Sequence, residues 1–221
     1  MLTALINNLK ATRRTIVFTE GSDKRIQDAA ARLMKEDLMD VILVGKADEV
    51  AAAAKENGFD VSGATVLDPA TYEKMDEMVE KMVELRKGKM SAEECRAALQ
   101  KGNYFGTMLV KMGVADALLG GATYSTADTV RPALQLIKTK PGAHLVSSCF
   151  ILTREGGDEA FRKLCMGDCA INISYEDSTD KEGNVTVSAA QKLAEVAVES
   201  AKTAKFFGID PKVAMLSFST K

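Results

Sequence analysis

Short apolar runs alternate with stretches of helical periodicity along this chain. Mostly apolar runs stand at 15–19, 40–44 and 115–119, and their length suits buried strands. Lys24 to Glu36 and Ala47 to Asn57 instead place their apolar side chains three and four residues apart, as an amphipathic helix does. Elements that alternate in this way predict an α/β fold with a largely parallel sheet.

The same reading continues towards the C-terminus. Residues 75–85 and 103–112 have helical spacing, and Ser91 followed by Glu94 indicates a capping box ahead of a helix over 95–101. Beyond residue 140 we predict strands at 145–153, within 161–175 and at 212–220, and a long helix at 188–207. Within 161–175, the segment DCAINI at 168–173 has the apolar character of a strand.

The densest candidate chemistry lies in residues 120–135, GGATYSTADTVRPALQ, directly after the third apolar run. Two glycines, the second of them Gly121, allow a ligand to approach the main chain closely. The free N–H groups and the dipole of a following helix favour negative charge at its N-terminus. Hydroxyl donors follow at Ser125, Thr126 and Thr129. We therefore predict an anion-binding turn.

Arg131 adds a cation to this segment, with the planar fork that suits phosphate or carboxylate. Pro132 fits the first turn of a helix over 132–137. In the simpler interpretation, Ser125 or Thr126 only caps a helix and Arg131 is a solvated surface residue. The local pattern leaves both interpretations open.

Longer segments resemble the phosphate acetyltransferase (phosphotransacetylase) family. They are TIVFTEGSDKRIQDAAARL at 15–33, GTMLVKMGVADALLGGATYSTADTVRPALQLIKTKPGAHLVSS at 106–148 and DCAINI at 168–173. The likeness spans essentially the whole chain, in order and with its spacing intact. It implies two α/β domains with largely parallel sheets and an interdomain cleft that holds the substrates. We expect an N-terminal domain at 1–147 and the start of a second, incomplete domain at 148–221.

The resemblance also implies a reaction. An acetyl group would move between coenzyme A and inorganic phosphate, with acetyl phosphate as the other product, no tightly bound cofactor and a homodimeric enzyme. Arg131 and Arg86 match family arginines associated with substrate or CoA binding, although Arg86 also suits an exposed helix-end cation. Gly121 and the hydroxyls of Ser125, Thr126 and Thr129 would then contact phosphate or acetyl phosphate.

The family's Ser-Arg-Gly-Cys segment, with its nearby Asp, has no counterpart in these 221 residues. We therefore expect an N-terminal fragment that carries binding residues but not the catalytic ones. The sequence also departs from the family pattern at two positions. Tyr124 stands where many relatives have histidine, which leaves the acyl preference open, and Thr19 stands where they have proline.

Composition excludes several other classes. With 29 basic and 31 acidic residues, the chain has no electrostatic footprint for nucleic acid. No apolar run is long enough to span a bilayer and the N-terminus lacks a signal-peptide pattern, which favours a soluble cytoplasmic protein. We interpret Cys95, Cys149, Cys165 and Cys169 as buried free thiols rather than zinc ligands. The single histidine, His144, suits packing or hydrogen bonding better than catalysis.

Alternative functions remain open at this point. Phosphate butyryltransferase belongs to the same class and differs in acyl-chain length. If the 221 residues are the whole natural chain, the corresponding hypothesis is a noncatalytic module that binds acyl phosphate or CoA. An NAD-dependent oxidoreductase lacks support, because EGSDKR after the first strand contains one glycine and not the GxGxxG pattern.

Overall fold

The computed structural model describes residues 2–156 and 162–216. The chain divides into two compact units, Leu2–Lys138 and Thr139–Lys221. The domain division at residues 147 and 148 stays a prediction.

The first unit alternates strands and helices, as the sequence pattern predicts. In chain order it contains α1 (Leu2–Ala11), β1 (Thr15–Phe18), α2 (Lys24–Lys35), β2 (Asp40–Val44), α3 (Ala47–Asn57), β3 (Thr65–Leu67), α4 (Met75–Arg86), α5 (Ala92–Leu99), α6 (Gly102–Lys111), β4 (Ala117–Leu119), α7 (Thr126–Pro132) and a π-helical segment (Ala133–Ile137). The α/β class is thereby confirmed. Helix α1 was not expected from the sequence.

The four strands of this unit form one parallel sheet in the order β3-β2-β1-β4. Successive side chains of a strand point to opposite faces, so the sheet has a core on each side. Val17 packs with α4, α5 and α6, whereas its neighbour Phe18 packs with α2 and α3. Both side chains are almost completely buried. The sheet is therefore the middle of three layers.

Helix boundaries follow local chemistry. Asp23 caps α2 by accepting a hydrogen bond from the main-chain N–H of Arg25. Helix α3 ends at Gly58, which adopts the left-handed conformation with φ of 75°. Ser91 and Glu94 form the expected capping box of α5. The predicted bounds of α2 and α3 agree with the structure to within one residue, whereas α5 begins at Ala92, directly after its cap and three residues before the predicted start.

The described part of the second unit contains β5 (Cys149–Thr153), β6 (Lys163–Gly167), β7 (Ser178–Thr179), β8 (Val185–Val187) and α8 (Ala189–Phe206). The pairs β5–β6 and β7–β8 are antiparallel, so the parallel arrangement is found in the first unit. Helix α8 packs so closely on β6 that a Cβ at Gly167 would lie 2.3 Å from Ser200 Oγ. The opposite face of the β5–β6 pair exposes Phe150, Leu152, Leu164 and Met166.

Three strand predictions in this unit need correction. The strand expected at 145–153 begins only at Cys149, and DCAINI at 168–173 forms bends instead of a strand. Asp168 has a positive φ of 55°, and its carboxylate accepts hydrogen bonds from Asn172 and Tyr175, which turns the chain. Residues 212–216 have no regular secondary structure, and the rest of the strand expected at 212–220 lies outside the described residues.

Candidate functional site

The carboxyl ends of β1 and β4 lie side by side, because the two strands pair in parallel from Ile16 opposite Ala117 to Phe18 opposite Leu119. The chain leaves β1 towards β2 on one side, while β4 lies on the other side. The direction of strand order changes at this point, and α/β proteins commonly bind ligands outside the carboxyl ends at such a switch point. The predicted anion-binding turn follows β4 directly and therefore lies at this place.

The turn does hold an anion in this structure, and that anion is the carboxylate of Glu20. Its Oε2 accepts hydrogen bonds from the main-chain N–H groups of Gly121 (2.9 Å) and Ala122 (3.1 Å). Its Oε1 accepts from the N–H of Thr123 and from the Thr123 hydroxyl at 2.6 Å. Burial raises the pKa of Glu20, but the hydrogen bonds from Thr123, Ala122 and Gly121 outweigh it and leave the pKa below its ordinary value.

A main-chain carbonyl of the same turn is also hydrogen-bonded, by a residue at the start of α2. A terminal nitrogen of Arg25 donates to the main-chain carbonyl of Ala122 at 2.6 Å. Asp23 accepts two hydrogen bonds from the same guanidinium, at 2.8 and 3.0 Å, which fixes its direction. The turn is thus bound by a carboxylate on its N–H groups and by a guanidinium on a carbonyl.

Helix α7 begins immediately after the turn, and Ser125 is its N-cap. The Ser125 hydroxyl accepts from the N–H of Asp128 at 3.1 Å and donates to its carboxylate at 2.7 Å. The Thr129 hydroxyl donates to the carbonyl of Ser125 at 3.2 Å. Thr126 is exposed, and its hydroxyl has no hydrogen-bond partner among the described residues. The capping interpretation is therefore confirmed for Ser125 and not for Thr126.

The prediction that Pro132 opens a helix is wrong, because it is the last residue of α7. A proline has no N–H, so the carbonyl four residues earlier loses its helical donor. That carbonyl belongs to Asp128, and the side-chain amide of Asn103 donates to it at 2.8 Å. After Pro132 the helix widens into the π-helical segment Ala133–Ile137.

Arg131 lies in the last turn of α7 with an exposed side chain. The side chain makes no hydrogen bond or ion pair within the part of the chain that the structure describes. Its guanidinium is therefore a cation with no partner among the described residues, and it lies eight residues after Thr123 of the turn at the switch point (residues 120–124, called the switch-point turn below).

Arg86 ends α4 and is half-buried. Its Nε is buried and lacks a hydrogen-bond partner among the described residues. It lines a recess of about 270 Å³ together with Lys87, Lys89 and Lys138, and none of the described residues that line this recess is acidic. Gln135, one helical turn beyond Arg131, lines the same recess. The expectation of an exposed helix-end cation fits Lys87 and Lys89 better than Arg86.

The predicted site residues thus lie in two places. Gly121, Ser125, Thr126, Thr129 and Arg131 lie on the turn and on α7, whereas Arg86 lies in the recess beside the π-helical segment. Their roles in substrate binding stay predictions. Sequence reasoning missed Glu20 as the carboxylate that the turn binds. The signal was its position just after β1, since parallel neighbours bring their carboxyl ends together.

His144 is a hydrogen-bonding residue, as expected. Its ring Nδ1 lies 3.0 Å from a Glu195 carboxylate oxygen, and its main-chain N–H donates to the same carboxylate at 3.0 Å. The cysteine expectation is right in that the thiols are free but needs correction on burial: Cys95 is buried, Cys149 and Cys165 are half-buried and Cys169 is exposed. The strand expected to bury Cys169 does not form there.

Neither a metal centre nor a membrane span is found in residues 2–156 and 162–216. No group of three or more His, Cys, Asp or Glu side chains there has the arrangement to hold a metal ion. None of the helices in these ranges combines the length and apolar character needed to cross a bilayer.

Comparison with known proteins covers the full chain. The sequence is 48% identical over 206 residues to a phosphate acetyltransferase of Bacillus subtilis (strain 168), which is 93% of this chain and 58% of that protein. It is 46% identical over 221 residues to a phosphate acetyltransferase of Staphylococcus epidermidis (strain ATCC 12228), which is all of this chain and 62% of that one. The chain thus spans about 60% of the length of these relatives.

Solved structures agree with the sequence comparison. The EutD phosphotransacetylase from Staphylococcus aureus matches with a TM-score of 0.78 and 44% identity, over 100% of this chain and 62% of that one. A phosphotransacetylase from Streptococcus pyogenes matches with a TM-score of 0.82 and 45% identity, over 100% of this chain and 64% of that one. The profile of one family, described as phosphate acetyl/butaryl transferase, matches residues 1–221. The chain belongs to the phosphate acetyl/butaryl transferase family.

Proposed function

We propose that this chain forms the substrate-binding part of a phosphate acetyltransferase, which moves an acetyl group between coenzyme A and inorganic phosphate. Family membership and relatives that carry that name support the reaction. The observation that carries the proposal is Arg131, a guanidinium with no partner among the described residues, on the helix that follows the switch-point turn.

Arg131 is the group that we expect to hold a phosphoryl group of the substrate. A guanidinium binds phosphate through two parallel charge-assisted hydrogen bonds, which fix orientation as well as affinity. Thr126 supplies the hydroxyl that is free to donate. Ser125 and Thr129 donate within α7, so each would have to exchange a partner to bind phosphate. Gly121, whose N–H is bound by Glu20, contributes close approach of the main chain rather than a donor.

Arg86 and the recess suit a second anionic group, such as another phosphate of CoA. Four cationic side chains line the recess, namely Arg86, Lys87, Lys89 and Lys138. A bound phosphate oxygen would give the buried Nε of Arg86 the acceptor that it lacks among the described residues. The buried Nε therefore favours an anion-binding role for Arg86 over the alternative of a solvated cation at a helix end.

The chemistry of the reaction assigns these residues a positioning role. In the direction of acetyl-CoA synthesis, the CoA thiolate attacks the carbonyl of acetyl phosphate, and the tetrahedral oxyanion collapses as the bond from the acyl carbon to the phosphate oxygen breaks and inorganic phosphate leaves. The oxyanion needs donors or positive charge nearby. Holding both substrates in reacting geometry itself supplies part of the rate enhancement. We assign no general base and no nucleophile to this chain, since the family segment that carries the catalytic Ser, Arg and Asp has no counterpart in its sequence.

Acetyl-CoA formation from acetyl phosphate and CoA tests the proposal. The 221-residue chain is compared with a version extended through any downstream reading frame, and butyryl phosphate is offered in parallel. We expect activity in the extended form only and a preference for the acetyl donor. Activity of the short form would contradict our placement of the catalytic groups, and a preference for butyryl phosphate would make the enzyme a phosphate butyryltransferase.

The proposal retains two further expectations from the sequence, a homodimer and a cytoplasmic location. Light scattering of the extended protein tests the first, and localisation of a tagged chain tests the second. A noncatalytic module that binds CoA remains the function if the extended form binds CoA and transfers no acetyl group.

A further inference from the structure

Glu20 is a buried carboxylate that the proposed reaction does not use. Its side chain is 8% exposed, and it accepts hydrogen bonds from the N–H groups of Gly121, Ala122 and Thr123 and from the Thr123 hydroxyl. Buried acids are rare unless they are paired or fully hydrogen-bonded. These donors all belong to one short turn, so the hydrogen bonds from this turn compensate for the burial of the Glu20 carboxylate.

The contact joins two loops that are about a hundred residues apart in the chain. Glu20 belongs to the loop after β1, and the turn follows β4. Arg25, from the first turn of α2, binds the carbonyl of Ala122. Glu20 therefore binds the N–H groups of the turn, and Arg25 binds one of its carbonyl groups. With both kinds of group bound, the main chain of the turn has little freedom to change its direction.

The direction of this turn decides where α7 begins. Ser125, the N-cap of α7, comes two residues after Thr123. We propose that Glu20 is a positioning residue, which acts as an internal anion on the turn and so fixes the start of α7 and the placement of Thr126 and Arg131. This inference rests on the proposed function, in which those two residues bind the substrate phosphate.

The same arrangement determines what the turn does not bind. Its N–H groups are occupied by the Glu20 carboxylate, so the substrate phosphate is bound by side chains further along α7. A role for Glu20 as a general base does not fit either. Hydrogen bonds hold its pKa below the ordinary value, and a weaker base than usual is poorly suited to remove a proton from a thiol.

The test measures CoA affinity by calorimetry and amide hydrogen exchange on the 221-residue chain. Glu20→Ala removes the internal anion, and formate then serves as a small carboxylate that can occupy the vacated position. Glu56→Ala is the matched control, because it removes the same charge from an exposed position of α3. Glu20→Gln keeps the shape of the side chain but replaces one acceptor oxygen by a donor.

We expect Glu20→Ala to weaken CoA binding about ten- to a hundredfold, the effect of losing about one charge-assisted hydrogen bond to phosphate when Arg131 is misplaced. Amide exchange of Gly121 to Thr123 becomes faster in this variant, and formate restores both properties. Glu20→Gln shows the same losses without restoration, and Glu56→Ala behaves as wild type with or without formate.

Unchanged CoA affinity in a folded Glu20→Ala protein would overturn the inference, as would unchanged exchange at the turn. If both Glu20 variants fail to fold, Thr123→Val removes one hydrogen bond of the same carboxylate, and unchanged affinity in that variant has the same meaning. Absence of CoA binding by the wild-type chain contradicts the proposed function instead. The amide exchange rates of Gly121 to Thr123 then still show whether Glu20, or formate in its place, stabilises the turn.

Discussion

The side-chain amide of Asn103 donates a 2.8 Å hydrogen bond to the main-chain carbonyl of Asp128. Pro132 follows that carbonyl by four residues and has no N–H to give it. Asn103 is almost completely buried, so its amide replaces the missing helical donor in a place where water has little access. A residue of α6 thus allows α7 to continue up to a proline.

We expect the effect of losing Asn103 to depend on Pro132. In wild type, Asn103→Ala leaves a carbonyl without its donor and destabilises the chain by about 1–3 kcal/mol, the usual cost of an unsatisfied buried group. In a Pro132→Ala background the new N–H can bond to Asp128, so the same change costs less. Urea unfolding of the four proteins gives the coupling free energy.

Pro141→Ala provides the control background, because Pro141 belongs to the other compact unit. In that background the effect of Asn103→Ala should equal its effect in wild type. If Asn103→Ala costs the same with Pro132 and with Ala at position 132, the amide does not replace the helical donor.

Thr19 explains why glycine stands at position 120. A Cβ on Gly120 would lie 2.4 Å from Thr19 Oγ1, whereas a Cβ on Gly102 would lie 2.4 Å from the main-chain carbonyl oxygen of Thr19. Gly120→Ala therefore destabilises the chain by about 1–3 kcal/mol through overpacking. Thr19→Ala removes the obstructing hydroxyl, so we expect it to relieve most of the cost of Gly120→Ala.

Gly102→Ala is the matched control for this pair. Its obstacle is main chain, which Thr19→Ala leaves in place, so its cost should remain. Thermal or urea unfolding of the single and double variants distinguishes the two cases. If Thr19→Ala reduced the destabilisation by Gly102→Ala as much as that by Gly120→Ala, its effect would come from a general loss of packing and not from removal of the Thr19 hydroxyl.

Asp23 should stabilise α2 in a pH-dependent way. Hydrogen bonds from the Arg25 side chain lower the pKa of Asp23 from 3.8 to about 2 in the folded chain. A carboxylate with a depressed folded pKa contributes stability above its unfolded pKa and loses it as the pH falls towards the folded value. The contribution should therefore be constant from pH 7 to about 4 and disappear between pH 3.8 and about 2.

Unfolding by urea at several pH values measures this contribution. We expect Asp23→Ala to cost about 0.5–2 kcal/mol at pH 7, the typical loss of a helix cap. Asp23→Ser keeps a capping oxygen and does not titrate, so its stability relative to Asp23→Ala should be independent of pH. A difference between wild type and Asp23→Ala that stays constant down to pH 2.5 would contradict the assignment.

The sequence predicted those elements whose boundaries depend on local chemistry. The capping box at Ser91 and Glu94, the glycine stop at Gly58 and the period of α2 are each contained in a few neighbouring residues. The strand expected over DCAINI failed because its apolar residues suggested a strand, while the carboxylate of Asp168 binds side chains that follow it and bends the chain.

The candidate site was predicted in part, for a similar reason. The anion-binding character of the turn and the capping role of Ser125 follow from residues 120–129 alone. The identity of the anion does not, because Glu20 is about a hundred residues away in sequence and reaches the turn only through the pairing of β1 with β4. Asn103 was missed because its role depends on Pro132 lying at the end of α7, which the sequence placed at the start of a helix.

The affinity of Arg131 variants for CoA, measured by calorimetry on the 221-residue chain, tests the proposed phosphate-binding role of Arg131. We expect Arg131→Ala to weaken binding by at least about 1.5 kcal/mol, or about tenfold, because a charge-assisted hydrogen bond to phosphate is lost. Arg32→Ala is the control, since Arg32 is an exposed arginine that pairs with Asp28 on its own helix. Wild-type CoA affinity in Arg131→Ala would contradict the proposal that this guanidinium binds the substrate phosphate.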